Sequence, residues 1–353
     1  MQPSLQQETD RLVRSWGHHA PEWLAGYLVA GVEDPRINLQ SILSRHLIIG
    51  ELFGDRFGSL MAEEYRFSAC MNWLMKLVRR AAPPEEMAAV LFALKQGSDN
   101  AEGLEIPRFL LSTFAQLPAG AAGRQVPNYI EEFFADQGVG GSGPRGIQHS
   151  LDTLQELWRE SLTPDSLKAL MPGGPPAWEP RRLSLLEPAC GSANDYRFLD
   201  AYGLAQWLDY SGFDLCVQNI ENARAVFPQT RFRVGNVFEI DASDKAYDLS
   251  IVHDLLEHLS IDGMQIAVRE LCRVTRRGIG IGFFQMDEIR EHVVRPVDEY
   301  HWNLLSMGRM RELFAKNGFT AQVIQIGSFL EQQVGCKETH NPNAYSFILR
   351  PST

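Results

Sequence analysis

Positive charge is scarce in this chain: 33 Lys and Arg stand against 44 Asp and Glu, for a formal net charge of -11. Nucleic-acid binders usually carry a basic face, so this balance argues against a nucleic-acid partner. Long apolar runs are absent as well, and no stretch is long enough to span a bilayer. The first ten residues, Met1 to Asp10, are polar and acidic, which does not fit a secretory signal. Cysteine is sparse and scattered, at Cys70, Cys190, Cys216, Cys272 and Cys336, with no Cys-x-x-Cys spacing. An odd, dispersed set of that kind excludes a disulfide framework and predicts no metal site. The expectation is a cytoplasmic protein with reduced thiols and no membrane partner.

The chain has 353 residues, enough for two domains or one large one. Strand patterning is hard to find before Pro180. Ile42, Leu43, Leu47, Ile48 and Leu52 form one helical stripe. Tyr65, Phe67, Cys70, Trp73, Leu74, Leu77 and Val78 form a second, ended by Pro83-Pro84. Met87, Val90, Leu91 and Leu94 continue the pattern to Gly97. These stripes read as ordinary core. Gly138 to Gly146 reads as a flexible linker, and Leu151, Leu154, Leu157 and Trp158 mark a helix after it. Met171 to Pro180 breaks the chain again. The expected division is a helical N-terminal domain over residues 1–146. Residues 147–353 would hold the linker helix and a second domain.

After Pro180 strands alternate with helices. Strands are predicted at Leu183–Leu186, within Trp207–Phe213, and at Arg231–Val234, Leu249–His253, Gly278–Phe284, Ala321–Ile326 and Ala344–Leu349. Helices are predicted at Val217–Phe227 and Asp262–Arg273, and at Met307–Lys316 behind a Ser306 N-cap. This alternation predicts an α/β domain with a Rossmann-like, doubly wound, mostly parallel sheet. Ligands in such sheets sit beyond the strands' carboxyl ends, where strand order reverses. Glu187, Asp214, Asn236 and His253 all fall at or just after such ends.

The stretch Glu187-Pro-Ala-Cys-Gly-Ser-Ala-Asn194 joins a strand-end acid to a small-residue turn and a helix start. Little side chain stands there to keep a nucleotide from the backbone. Asp214 follows one βα unit later, placed to accept from both ribose hydroxyls of an adenosyl group. The plainer alternatives are a turn carboxylate for Glu187 and a strand-end cap for Asp214. This ordered set resembles the class I S-adenosylmethionine-dependent methyltransferases. Their first motif has the form acid-x-Gly-x-Gly-x-Gly, of which only the middle glycine, Gly191, survives here. Alanine at the outer positions, Ala189 and Ala193, is tolerable if φ stays negative.

The resemblance implies S-adenosylmethionine as cofactor, S-adenosylhomocysteine as product and a small-molecule acceptor. Carried over residue by residue, cofactor contacts fall on Glu187, Ala189, Gly191, Asn194, Asp214, Leu215, Asn236, Val237, His253 and Asp254. Asn236 stands where an aspartate is usual, and its amide oxygen can still accept from the adenine amino group. His253, Glu257, Tyr300 and His301 are the catalytic candidates, the histidines as proton acceptors. Tyr300 and His301 belong to the cluster Asp298-Glu-Tyr-His-Trp-Asn303, whose alternative is packing of that connection on the sheet. Added helical segments imply a pocket lid, a dimer interface or both, so a homodimer is one expected assembly. The string Pro188-Ala-Cys-Gly-Ser192 also resembles the first motif of DNA amino-methyltransferases. Those enzymes need a Pro-Pro-aromatic box at the fourth strand end, and here that place reads Val252-His-Asp-Leu-Leu256. The runner-up is a non-catalytic protein of the same fold that binds an adenosyl ligand or a partner. The altered glycines and Asn236 keep that alternative open.

Overall fold

The computed structural model describes residues 3–16, 34–101, 103–110, 128–139, 148–170, 182–297, 299–336, 339 and 341–352. Residues 140–146 of the expected linker, the 171–180 break and Asp298 lie outside the described residues. The helices in chain order are α1 (Pro3–Trp16), α2 (Leu39–Phe53), α3 (Gly58–Arg79), α4 (Pro84–Gln96), α5 (Asn128–Asp136) and α6 (Gln148–Ser161). They continue with α7 (Pro164–Ala169), α8 (Asn194–Ala201), α9 (Val217–Val226), α10 (Ile261–Val274), α11 (Met307–Lys316) and α12 (Ile326–Val334). The main sheet comprises β1 (Leu183–Pro188), β2 (Leu208–Asp214), β3 (Arg231–Val234), β4 (Tyr247–His253), β5 (Thr275–Phe283), β6 (Phe319–Gln325) and β7 (Tyr345–Pro351). All seven predicted strands are present, with their ends moved by up to three residues. Ile326 begins α12 and does not end β6.

Strand order is β6-β7-β5-β4-β1-β2-β3. The neighbours from β5 through β3 are parallel, and β7 runs antiparallel between β5 and β6. β1 pairs with β2 on one side and β4 on the other, so the order reverses beside its carboxyl end. β1, β4 and β5 are buried along most of their length, as fits strands covered on both faces, whereas β3 and β6 at the sheet edges are only partly buried. Leu186, Phe213, Val252, Ile279, Ile281, Phe283 and Phe347 join Met264, Val268 and Leu271 of α10 in one buried core. Ser260 caps α10 by accepting from Gly263 N at 3.0 Å, and Ser306 caps α11 from Arg309 N at 3.3 Å.

The chain divides into two compact units. One unit holds residues 1–57, 167–326 and 341–353; the other holds residues 58–166 and 327–340. The N-terminal region is helical as expected, yet α1 and α2 belong with the sheet. The cause is legible in β5, which reads Gly278-Ile-Gly-Ile-Gly282. Strand side chains alternate faces, so Ile279 and Ile281 fill the core while the glycines face the other way. A Cβ at Gly280 would stand 3.0 Å from Ser44 Oγ, and one at Gly282 would stand 2.9 Å from Gln40 Cβ. Both neighbours belong to α2, which lies directly on this bare strand face. Gln40 Nε2 also donates to the carbonyl of Phe283 at 2.9 Å. On the other side, Leu5 and Leu12 of α1 enter the main core.

The second unit has its own apolar interior. Trp73, Leu74, Leu77, Val90, Leu94, Ile130 and Phe134 are all buried. Tyr65 meets Phe329 edge to face, with ring centroids 5.0 Å apart.

Gly282→Ala should destabilise the protein by about 1–3 kcal/mol, because the added methyl overpacks a full contact between helix and strand. Equilibrium denaturation measures it, and an unchanged midpoint would show that α2 yields easily at this strand.

Candidate cofactor and acceptor site

The turn after β1 alternates left-handed residues. φ is 54° at Ala189, 53° at Gly191 and 69° at Ala193. The condition under which alanine is unstrained, negative φ, is therefore not met at either alanine. The hydrogen bonds of the turn supply the reason. Cys190 N donates to the Phe213 carbonyl, Ala193 N donates to the Cys190 carbonyl, and Gly191 N donates to Asp214 Oδ2, each at 3.0 Å. These bonds fix the path whatever side chain is present. Each alanine then carries roughly 1–2 kcal/mol of Cβ strain. Above Gly191 the protein leaves open space, since a Cβ there would meet only Asn194 Nδ2, at 4.0 Å. The side-chain oxygen of Asn194 is buried and has no partner among the described residues. An open backbone turn beside an orphaned acceptor fits a ligand that carries its own donors.

Asp214 ends β2 and is buried. Besides Gly191 N, its carboxylate accepts from Cys216 N at 2.8 Å and Asn219 Nδ2 at 3.3 Å. The residue assigned to the ribose is thus also the anchor of the first-motif turn. Leu215, next to it, packs against the main core.

Two more acids lie close by. Glu187 is buried, and Tyr210 donates its hydroxyl to Oε2 at 2.6 Å. Burial, together with the charges of Asp195 and Asp214, pushes the Glu187 carboxyl well above its ordinary value. Asp195, in the first turn of α8, behaves oppositely. Burial would raise it, but the His253 ring, the Ser41 hydroxyl and the Arg45 guanidinium hold it below the usual carboxylate range.

His253 is enclosed. Its Nδ1 lies 3.1 Å from Asp195 Oδ2 and its Nε2 lies 2.8 Å from Ser44 Oγ. Both ring nitrogens are therefore engaged inside the protein, one with α8 and one with α2. Sequence reasoning missed Asp195, Ser44 and Tyr210, because no motif or spacing marks them.

The loop after β4 forms a second cluster. Asp254 is left-handed, with φ 51°, and its half-exposed carboxylate meets His258 Nε2 at 2.9 Å. Burial opposes a charge on His258, but the Asp254 carboxylate, the charge of Glu257 and the His301 carbonyl raise it to about 9. His258 Nδ1 lies 3.0 Å from that carbonyl. The His258 ring also stands 5.7 Å from Tyr300 and 4.9 Å from Trp302. Glu257 is fully buried, and its Oε1 accepts from Phe284 N at 2.7 Å. Its Oε2 has no partner among the described residues. Burial and the charge of Asp254 lift Glu257 to about 6, against the opposing pull of His258. Burial lowers His301, with Glu8 opposing and Arg11 adding to the shift. Of the catalytic candidates, Glu257, Tyr300 and His301 gather around His258, while His253 belongs to the Asp195 chain.

Asn236 follows β3. Its oxygen accepts from Phe238 N at 2.9 Å and its nitrogen donates to Thr9 Oγ1 of α1 at 3.0 Å. The next residue on α1, Glu8, accepts from Ser260 N at 2.6 Å and from Ser260 Oγ at 2.5 Å. Val237 is buried in the main core. Among the described residues no group of His, Cys, Asp or Glu could hold a metal ion, and no helix is long and apolar enough to cross a membrane.

Residues 186–281 match the family model described as a methyltransferase domain. Residues 186–281 thus carry a methyltransferase domain by sequence match, set in the Rossmann-like, mostly parallel sheet of the C-terminal half. No curated protein matches the chain. Among solved structures, 1,6-didemethyltoxoflavin-N1-methyltransferase of Burkholderia thailandensis, with 1,6-didemethyltoxoflavin and S-adenosylhomocysteine bound, is similar at 17% identity. That likeness covers 49% of this chain and 72% of the other, with TM-score 0.36. A TehB-like methyltransferase of Corynebacterium glutamicum is similar at 18% identity over 50% of this chain and 83% of the other, with TM-score 0.36. The PH0226 protein of Pyrococcus horikoshii OT3 is similar at 19% identity over 59% and 92%, with TM-score 0.37.

Ala193→Gly should stabilise the fold by about 0.5–1 kcal/mol. Relief of Cβ strain exceeds the extra entropy of a glycine in the unfolded chain. A thermal melt checks it, and a lower midpoint would show that the alanine methyl packs favourably.

The His258–Asp254 pair predicts a pH dependence of stability. His258 is raised in the folded state from 6.5 to about 9, so its contribution is complete below pH 6.5 and fades as pH rises through 9. The loss should be about 1–3 kcal/mol, allowing for screening of the half-exposed Asp254. His258→Gln should flatten this limb in denaturation between those pH values. An identical limb in the variant would assign it to other groups.

Proposed function

We propose that this protein binds S-adenosylmethionine and transfers its methyl group to a small-molecule acceptor. One observation carries the reading: a left-handed turn, open above Gly191 and tied by its backbone to Asp214, stands where strand order reverses. When bound, the cofactor supplies an activated methyl on a sulfonium. Asp214 is assigned to the ribose hydroxyls, Asn236 to the adenine amino group, and the turn's backbone to close approach of the ligand. Glu187, Asp195 and Asp214 together supply a negative field that favours the sulfonium charge.

The acceptor side is assigned to the cluster around His258. His253 is a positioning residue in this reading, because Asp195 and Ser44 occupy both its nitrogens. Glu257 is the better proton acceptor. It has an unpartnered oxygen and, at about 6, it is mostly ionised at neutral pH. Tyr300 and Trp302, packed around His258, suit stacking with a planar acceptor. An acceptor that is already a thiolate or amine would need orientation alone.

Calorimetry with S-adenosylhomocysteine tests the binding half. The full chain should bind it. Asp214→Asn should weaken binding at least ~10-fold, since charge-assisted hydrogen bonds contribute roughly 1.5–3 kcal/mol each. No binding by the folded full chain would overturn the reading. The enclosure of His253 favours a second reading, binding without catalysis. Binding without release of S-adenosylhomocysteine across thiol, amine, phenol and carboxylate acceptors would select it.

A further inference from the structure

Three carboxylates meet at the turn, and they are not equally compensated. Asp214 takes two backbone N–H groups and the Asn219 amide. Asp195 has the His253 ring, the Ser41 hydroxyl and the Arg45 guanidinium. Glu187, only 3% exposed, has one phenol: Tyr210 Oη, at 2.6 Å. No cation pairs with it among the described residues. The groups that face it are Tyr210 and Asp214 of β2, Cys190 of the turn and Asp195 of α8. Behind Asp195 stand His253 of β4 and Arg45 of α2. Tyr210 lies over the bare Gly212, where a Cβ would stand 2.6 Å from its hydroxyl. Its ring is held between Tyr196 of α8 and Phe232 of β3, with centroids 4.5 and 5.6 Å away.

We propose that Glu187, with Tyr210 as its fixed donor, determines the choice between the cationic methyl donor and its neutral product. With no ligand, a proton on Glu187 limits the negative charge shared by the three acids. A sulfonium arriving beside the turn brings one positive charge, and the Glu187 proton leaves to solvent. After transfer the ligand is a neutral thioether, and Glu187 takes one proton back. Charge balances at each stage: one cation enters as one proton leaves, and one proton returns as the sulfonium charge is lost. Burial and the like charges nearby, which push the Glu187 carboxyl up, agree with this order of events. The inference rests on the cofactor reading above, and adds that the first-motif acid discriminates donor from product.

The test is calorimetric titration of the full chain with S-adenosylmethionine and, separately, S-adenosylhomocysteine, at several pH values and in buffers of different ionisation enthalpy. The donor should release up to about one proton on binding and the product about none. The donor-to-product affinity ratio should therefore rise by up to ~10-fold per pH unit in the linked range. Glu187→Gln should remove that slope, and any slope left in the variant belongs to the ligand's own amino group. Tyr210→Phe takes away the one hydrogen bond to the carboxylate and should move the linked range to higher pH. Equal proton counts for both ligands, with a flat ratio, would overturn this inference and leave the cofactor reading standing. Failure of both ligands to bind the folded protein would overturn both. If Glu187→Gln does not fold, Tyr210→Phe decides, and an unmoved range would refute the pair.

Discussion

The structure depends on one close approach. The alternate glycines of β5 leave one strand face bare, and α2 lies against it. Gly280 and Gly282 have no room for a Cβ because Ser44, Gln40 and the His253 ring stand there. This contact brings Ser44 to His253 Nε2 and, through His253, reaches Asp195 at the start of α8. A helix far away in sequence thus becomes part of the wall beside the first-motif turn. Two enclosed ring nitrogens, each with a partner, fix the imidazole more firmly than packing alone, because an unpaired buried polar group is costly.

The turn itself shows which force dominates in a tight loop. Alanines at φ 54° and 69° bear Cβ strain, yet the backbone keeps the path that three glycines would take freely. Bonds from Cys190 N to Phe213 O and from Gly191 N to Asp214 Oδ2 hold it across two strands. Buried N–H groups left unbonded would cost about 1–3 kcal/mol each, at least as much as the strain at either alanine. Asp214 serves the fold and the site at once, so the acid assigned to the ribose also builds the surface on which a ligand would rest.

Much of the fold was legible because it depends on local pattern. Apolar runs between turn signals located all seven strands, and Ser306 marked the start of α11. Glu187 and Asp214 stood out as candidates because strand ends and small-residue turns leave a sequence signature. Ser44, Asp195 and Tyr210 leave none, since a serine in a helix or a tyrosine in a strand looks like its neighbours until the chain folds. Glycine and proline mark where a chain can bend, but packing decides which helices share a core. The Gly278-Ile-Gly-Ile-Gly282 alternation was the one available hint that a helix would lie on β5. The φ signs of Ala189 and Ala193 were not legible, because hydrogen bonds between the turn and β2 set them against residue propensity.

The site is built from charges that the fold balances unequally. Around His258 a buried cation is matched by Asp254, and Glu257 keeps one oxygen without a partner. Around the turn, Asp195 and Asp214 are well provided with donors and Glu187 is not. Buried charge without compensation is unfavourable in a finished fold unless a proton or a ligand makes up the difference. On the reading proposed above, a proton does so while the chain is alone, and a cationic ligand does so when it binds. On that reading the same imbalance favours a sulfonium over a thioether. A fully compensated trio of acids would hold the turn equally well, but it would lose most of that preference.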